Sequence, residues 1–570
     1  MKWAEIQTDI LIIGGGGAAL NAVLHAYDQN PELNITMVVK GLVGKCGCSR
    51  MVQGGINCVL NPKDSFEKHF IDTIKGGQFL NDQELAWTLV TEAPIAVLEL
   101  ENLYGVYFDR NPDGTIHQKP FAGQSFDRTI HKGDLTGIEI MERMRDQLFL
   151  RRIRVLENHR ALELLLDQSK KRVVGALVLN ITEGGFLVIN AKATLLATGG
   201  GPNMYKVATP ALDKSTDGMA MAFRAGAKMM DMEMVQFHPT GIISSGTLLH
   251  GVVIEEGLRG AGARLYNALG ERFMERYDPI NMERATRDVV SRASFLEIMN
   301  GRGTKDGGVW LDISFKGAKW VEQNFPGMVE RCRLAGYDLA REPVQISPTA
   351  HYIMGGVRID VNCRTNLDGL FVAGEDSSGV HGANRLGGNG IADSLVFGRR
   401  AGLIMVEYVK DKELIPYDTD QVEMFISKYL SYFYKRDGVC VYEVKDKMRD
   451  VMWEKGGIVR CGEGLKDALR TLQELRKMAE DFKVNGNKVW NPLWNEAMNV
   501  INMLEVSEMI VRSAMIREES RGAHYRSDKP ERNDKDWLKN ICMKKGPNGS
   551  VEVWMEPVVF TRLSPDEIEW

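Results

Sequence analysis

The 570-residue sequence contains no run of 18 or more apolar residues, which excludes an ordinary membrane-spanning helix and any direct insertion into a bilayer. It lacks any C-x-x-C pair. Its eight cysteines are scattered, and the closest two, Cys46 and Cys48, have neither zinc nor iron–sulfur spacing. Free thiols in a reducing cytoplasm are therefore expected. Positive charge is not in excess: the net charge is −5, so no nucleic-acid partner is expected. The N-terminus does not read as a secretory signal, because Met1 to Thr8 lead almost at once into a strand-like run. The remainder is an ordinary globular mix, 44% hydrophobic and 26% charged, long enough for two to four domains.

Glycine, in contrast, is plentiful at 58 residues, and its placement carries information. Asp9-Ile10-Leu11-Ile12-Ile13 reads as a buried parallel strand, and a helix-like run follows at Leu20–Tyr27. Between them lies G-x-G-x-x-A. Gly14 permits the tight turn, Gly16 lets the backbone approach a pyrophosphate, and Ala19 lets helix and strand pack closely. The helix N-terminus then offers N–H groups and a positive dipole end to the phosphates. A second strand, Asn34–Val39, ends in Lys40 rather than the acid that usually takes a ribose hydroxyl. Two further strand-to-glycine turns occur at Ala193–Gly200 and Gly369–Glu375. Taken singly, each is an ordinary buried strand with a turn glycine. Together they suit a nucleotide domain assembled from separated segments, as in two-dinucleotide-fold flavoproteins. Farther on, Leu465, Ala468, Leu469, Leu472, Leu475 and Ala479 fall at helical spacing, as do Ala497, Val500, Ile501, Leu504 and Val511. These stripes read as the core of a helical bundle. The polar tail then offers a strand-like Val551–Trp554.

Longer strings are more specific. They include Gln53-Gly54-Gly55-Ile56-Asn57, Asp134-Leu135-Thr136-Gly137, Ala197-Thr198-Gly199-Gly200 and Gln236-Phe237-His238-Pro239-Thr240-Gly241. They continue through Gly270-Glu271-Arg272-Phe273-Met274, His351-Tyr352-Ile353-Met354-Gly355-Gly356 and His381 to Asn389, ending in Arg517 to His524. Over nearly its whole length the chain resembles the flavoprotein subunits of fumarate reductases and succinate dehydrogenases. The methanogen-type enzymes look nearest, with L-aspartate oxidase and adenylylsulfate reductase as relatives. The resemblance implies an α/β fold with a FAD-binding, Rossmann-like two-dinucleotide domain at 1–238 and 350–408. An α+β capping domain is inserted at 239–349, and a helical domain (409–535) and a short C-terminal segment (536–570) follow.

The resemblance also implies roles. Arg287 would deliver a proton to the substrate and be recharged through Glu256 and Arg259. Outside the family Arg287 would read as a structural salt bridge, since arginine is almost never deprotonated. His238, His351 and Arg385 would bind a small carboxylate, Arg385 through its planar fork. FAD would be held by Gly14, Gly16, Ala19, Lys40, Ser49, Gln53, Gly54, Gly55, Ala197, Thr198, Gly199, Asp217, Glu375, Arg385, Ser394 and Leu395. Glu375 would meet the ribityl hydroxyls, and Ser394-Leu395 the carbonyl edge of the ring. With no cluster of its own, the chain would take electrons from an iron–sulfur partner subunit, in the cytoplasm or peripherally at the inner membrane face through partners.

Three positions depart from the family pattern. Cys48 stands five residues before Gln53, where a histidine usually links covalently to FAD, so noncovalent FAD and the reductase direction are expected. Glu255 replaces the threonine that touches a substrate carboxylate, and a carboxylate there would repel a dianion unless protonated or turned away. Ala261 replaces a glutamate near the cap. The last two changes weaken fumarate as the default substrate and fit an altered enoate, or a FAD electron-transfer subunit of a larger complex with altered or lost dicarboxylate activity, equally well; a stand-alone oxidase like L-aspartate oxidase is the other alternative.

Overall fold

The computed structural model describes residues 2–546 and 548–567. Its largest sheet places the strand Ala4–Ile13 between two parallel neighbours, Ile35–Val39 and Gly185–Leu196. Arg154–Glu157 extends the sheet beyond Ile35–Val39, and Leu370–Val372 lies parallel to the end of Gly185–Leu196, with Val372 opposite Leu196. Ile13 also stands opposite Leu196, so the strand ends bearing Gly14, Thr198 and Gly374 are brought to one edge. Two antiparallel strands absent from the sequence reading, His159–Leu166 and Val173–Asn180, complete the sheet. Ile10 to Ile13 are buried because parallel strands are covered on both faces.

The helix Gly17–Gln29 starts directly after the glycine turn, and the long helix Asn389–Val409 packs against it. Glycines set how close the two lie: a Cβ on Gly398 would stand 2.4 Å from the Ala18 carbonyl oxygen, and one on Gly402 2.3 Å from that of Ala22. That approach brings the first turns of both helices to the same edge of the sheet.

A second apolar cluster, including Ile254, Leu258, Val290, Leu311 and Ile346, forms the interior of the inserted region. Its four-stranded sheet runs Val235–Ile242, Val344–Ile353, Val309–Asp312, Arg264–Tyr266. The expected boundaries at 238/239 and 349/350 fall within its first two strands, where His238 pairs with Thr349. The chain therefore enters and leaves this inserted region on two paired strands, which also carry His238 and His351. Farther along, the helices Gly462–Ala479 and Pro492–Ile516 bury the apolar stripes seen in the sequence, Leu469 and Ile501 only partly. The tail is not free: Lys539–Lys545 and Val551–Pro557 form a hairpin, and Cys542–Met543 pair with Met229–Met230.

Candidate active site

The cofactor edge is shaped by backbone proximity. A Cβ on Gly14 (φ +132°) would lie 2.1 Å from the Ala197 carbonyl oxygen, so only glycine fits. A Cβ on Gly16, in contrast, would meet only the Ser49 hydroxyl, 3.2 Å away. The Ser49 hydroxyl accepts from the Gly17 N–H at 3.0 Å, at the start of the first helix. A cleft opens there, lined by Gly14, Gly16, Lys40, Thr198, Gly199, Lys214 and Asp217 among others. Its glycine walls, helix N-terminus and polar far end fit a dinucleotide such as FAD.

Of the expected FAD residues, Gly14, Gly16, Lys40, Thr198, Gly199 and Asp217 line this cleft, and the rest lie beyond its lining. Lys40 donates to Asp217 at 3.0 Å, and Arg160 donates to the other Asp217 oxygen at 2.8 Å. Burial raises the Asp217 pKa, but Arg160 and Lys40 outweigh it and hold the carboxyl well below its usual range. Thr198 donates its N–H to Asp376 at 2.5 Å. Glu375 accepts the Ile353 N–H at 3.1 Å, and burial pushes its pKa up to about 7. Gly54 and Gly55 make room for neighbours: their Cβ atoms would strike the Phe121 ring at 2.3 Å and the Ile130 carbonyl oxygen at 1.9 Å. Gln53 donates to the Val253 carbonyl at 3.1 Å, reaching the cap. Ser394 bonds within its own helix, to the Gly390 carbonyl at 3.1 Å. The Leu395 carbonyl accepts from Asn21 at 2.6 Å, tying the two helices together. Ala19 is fully buried at the close-packed start of the first helix.

The expected catalytic residues form one connected network. Arg287, at the start of the helix Arg287–Glu297, donates to a single Glu256 oxygen from Nε (3.0 Å) and Nη2 (2.6 Å). Arg259 donates to the other Glu256 oxygen at 2.9 Å. Burial would raise the Glu256 pKa, but Arg287 and Arg259 together hold it below the usual value. Arg259 itself is lowered, by burial first, while Glu256 pulls the other way. Gln236 joins this network to Arg385. Its amide oxygen accepts from Arg287 Nη1 at 3.0 Å and from Arg385 Nη2 at 3.1 Å. Its amide nitrogen donates to Asn384 Oδ1 at 2.9 Å and the Arg385 carbonyl at 2.7 Å. Both arginines are pure donors, so this amide orientation is the only satisfactory one.

Burial, and next the neighbouring Arg287, bring the Arg385 pKa down to about 10. The guanidinium also lies 4.3 Å over the Tyr352 ring. Burial together with Arg287 holds His238 and His351 well below 6.5, so both rings are neutral. The rings meet edge-on, 5.2 Å apart. Thr240 commits its hydroxyl proton to the Ile254 carbonyl (2.7 Å), while its N–H approaches His238 Nδ1 at 3.3 Å. Nδ1 is thus the acceptor, and Nε2–H is left as a donor for a ligand. Among the described residues, His351 Nδ1 and Arg385 Nε are buried without a protein partner. Such atoms call for a bound group.

The sequence reading missed three groups. Gln236 was visible only as part of a string, although it lies two positions before His238 on one strand and so faces the same side. Tyr352 was likewise visible only within a string, and Lys119 carried no local signal. Lys119 answers the question raised by Glu255: its ammonium meets the Glu255 carboxylate at 2.5 Å, so the extra negative charge beside Glu256 is compensated.

Comparison with known proteins agrees with this geometry. Residues 9–391 match the FAD binding domain family, and residues 445–569 match the fumarate reductase flavoprotein C-terminal family. An uncharacterized FAD-dependent oxidoreductase of Methanocaldococcus jannaschii is 43% identical over 98% of this chain and 99% of its own. A CoM/CoB fumarate reductase subunit of Methanothermobacter marburgensis is 40% identical over 95% of this chain and 97% of its own. A chain of the Escherichia coli quinol fumarate reductase superposes with a TM-score of 0.93 at 32% identity, covering 99% of this chain and 98% of its own. The chain therefore belongs to the fumarate reductase/succinate dehydrogenase flavoprotein family, FAD-dependent oxidoreductases that act on CH–CH bonds.

Proposed function

We propose that this protein is the flavoprotein subunit of a fumarate reductase-type enzyme, reducing fumarate or a closely similar small enoate with electrons from an iron–sulfur partner. The observation that carries this reading is the Glu256 carboxylate, shared one oxygen each between Arg287 and Arg259. Bound FAD supplies the hydride. His238 and His351 act as neutral donors toward one end of the substrate, and Arg385 offers a planar fork to a carboxylate. These fixed groups hold the negative charge that builds as the double bond is reduced. Arg287 gives a guanidinium proton to the second carbon. Losing that proton is costly for arginine, so it must be replaced at once. Glu256, 2.6 Å away, passes a proton on, and Arg259 replenishes it from the cap side. The cap excludes water around this transfer.

Lys119 weakens the case for a subunit without turnover, because that alternative drew on an uncompensated Glu255. The iron–sulfur partner is supported by relatives named as subunits. No helix among the described residues is long and apolar enough to cross a membrane, so attachment to one would run through partners. The test is anaerobic reoxidation of the dithionite-reduced flavoprotein on adding fumarate, followed at the flavin absorbance maximum. Prompt recovery is expected. No recovery, with FAD still bound, would refute fumarate as substrate.

A further inference from the structure

Three long cations border the glycine-lined cleft: Lys40, Arg160 and Lys214. Two of them are paired with the same carboxylate, Asp217. Lys40 has four acceptors within 3.0 Å: the Asp213 carbonyl, Ser215, Asp217 and Asn499. Arg160 donates to the Asn495 carbonyl, Asn499 and Asp217, each at 2.8 Å. Lys214 is different. Its ammonium donates only to the Thr198 carbonyl, and no carboxylate among the described residues lies in ion-pair contact with it. An ammonium has three N–H bonds to place, and two of these remain.

Its position is defined by the glycines beside it. A Cβ on Gly199 would lie 2.9 Å from Lys214 Nζ, and one on Gly47 3.6 Å from Cε. The side chain thus lies across the cleft between the Gly47 loop and the Thr198-Gly199 turn. That wall also holds acids. Asp376 accepts the Thr198 and Gly199 N–H groups at 2.5 and 3.1 Å, and a Cβ on Gly200 would stand 2.5 Å from a Glu375 oxygen. A diphosphate entering here meets carboxylates on one side and, on the other, a lining cation that is held in no ion pair, whereas Lys40 and Arg160 are both paired with Asp217. Burial would discharge Lys214, but Cys48, Asp213, Asp376 and Glu375 outweigh it and keep the ammonium charged.

We propose that Lys214 anchors the pyrophosphate of FAD, setting its ammonium against the phosphate oxygens between the Gly47 loop and the Thr198-Gly199 turn. The proposal rests on FAD occupying this cleft, which reconstitution of the unaltered apoprotein checks separately. The competing role is a purely structural counter-ion for Asp376 and Glu375. That role would lower apoprotein stability without favouring phosphate-bearing ligands.

The experiment compares unaltered apoprotein with Lys214→Met and Lys214→Arg, titrating FAD by flavin fluorescence at low and high salt. ADP, which carries the phosphates, and riboflavin, which carries none, serve as competitors, and apoprotein melting is recorded alongside. In Lys214→Met the Kd for FAD should rise about ten- to a hundredfold, the loss expected for a charge-assisted hydrogen bond. ADP competition should weaken in parallel, riboflavin competition should not change, and the salt dependence should flatten. Lys214→Arg should recover most of the affinity. A FAD affinity within twofold of the unaltered protein at low salt overturns the proposal, as does a loss that ADP does not share. Should Lys214→Met fail to fold, Lys214→Gln carries the same comparison.

Discussion

Glu255 lies in the inserted region filled by the second apolar cluster and Lys119 outside it, so their ion pair fastens one part to the other beside the Glu256–Arg287 pair. The pair is asymmetric, with side-chain exposures of 18% for Lys119 and 4% for Glu255. Lys119→Met strands a carboxylate that water scarcely reaches. Breaking a fully buried pair costs about 3–5 kcal/mol, and the solvent edge of Lys119 reduces this to roughly 2–3 kcal/mol. Glu255→Gln leaves an ammonium that can turn toward water, and should cost about 1 kcal/mol. The double variant strands no charge and should lie near Glu255→Gln, a coupling of about 2–3 kcal/mol. Urea titration followed by the release of FAD fluorescence reads these differences. With several domains present, the quantity compared is the midpoint of the FAD-releasing transition, not a global stability. Lys119→Met should also weaken fumarate binding, because it leaves a bare carboxylate close to the substrate-binding group. Equal losses in the two single variants, or additive losses in the double, would refute the reasoning.

Arg287→Ala should keep FAD bound and lower fumarate-dependent reoxidation by about a hundredfold or more, the scale of a lost proton donor; undiminished rates in stopped-flow would remove it from the mechanism. Gln236→Leu takes away the acceptor shared by Arg287 and Arg385, each charge-assisted bond being worth about 1.5–3 kcal/mol, and should lower kcat for fumarate more than FAD affinity. Gly14→Ala forces a Cβ to 2.1 Å from the Ala197 carbonyl and should yield protein without bound FAD, seen as loss of the yellow absorbance. Burial raises Glu375 and Asp376 to about 7 and about 6, so the folded apoprotein holds protons that the unfolded chain has released. Their contribution to stability is complete below pH 4 and is lost as the pH rises through 6 and 7; Glu375→Gln should make urea midpoints less steeply dependent on pH in that window.

What could be read from the sequence follows from where the information is local. Asp9–Ile13 announced itself because a strand covered on both faces is apolar throughout, yet the strand begins at Ala4. Its first half pairs with Leu187–Ala191 near the sheet's end, where exposed residues leave no apolar signature. The bundle helices were legible from their 3.6-residue stripes. The antiparallel pair His159–Leu166 and Val173–Asn180 was not, since short buried strands have no distinctive period. At the site, Arg287, Glu256 and Arg259 were found through motif resemblance, and the network that joins them to Arg385 through Gln236 emerged only in three dimensions. The terminal string Arg517 to His524 also has a structural meaning. Arg517 meets Glu233 at 2.5 Å, and Ala523 N–H donates to the Ala383 carbonyl at 2.9 Å, bracing the loop that carries Arg385.

The sheet that forms the cofactor edge draws its strands from distant parts of the chain, and this imposes an order on biosynthesis. Ala4–Ile13 leaves the ribosome first and can pair early with Ile35–Val39, but its other neighbour is supplied only when Gly185–Leu196 has been made. Leu370–Val372 joins later still, and the helix Asn389–Val409, which closes on the first helix through Gly398 and Gly402, comes after that. A nascent chain halted anywhere within the cap thus exposes half a nucleotide fold, its apolar strands unsheathed. Cofactor loading is for this reason a late event, completed when more than two thirds of the polypeptide is already outside, and the growing chain depends until then on protection from aggregation.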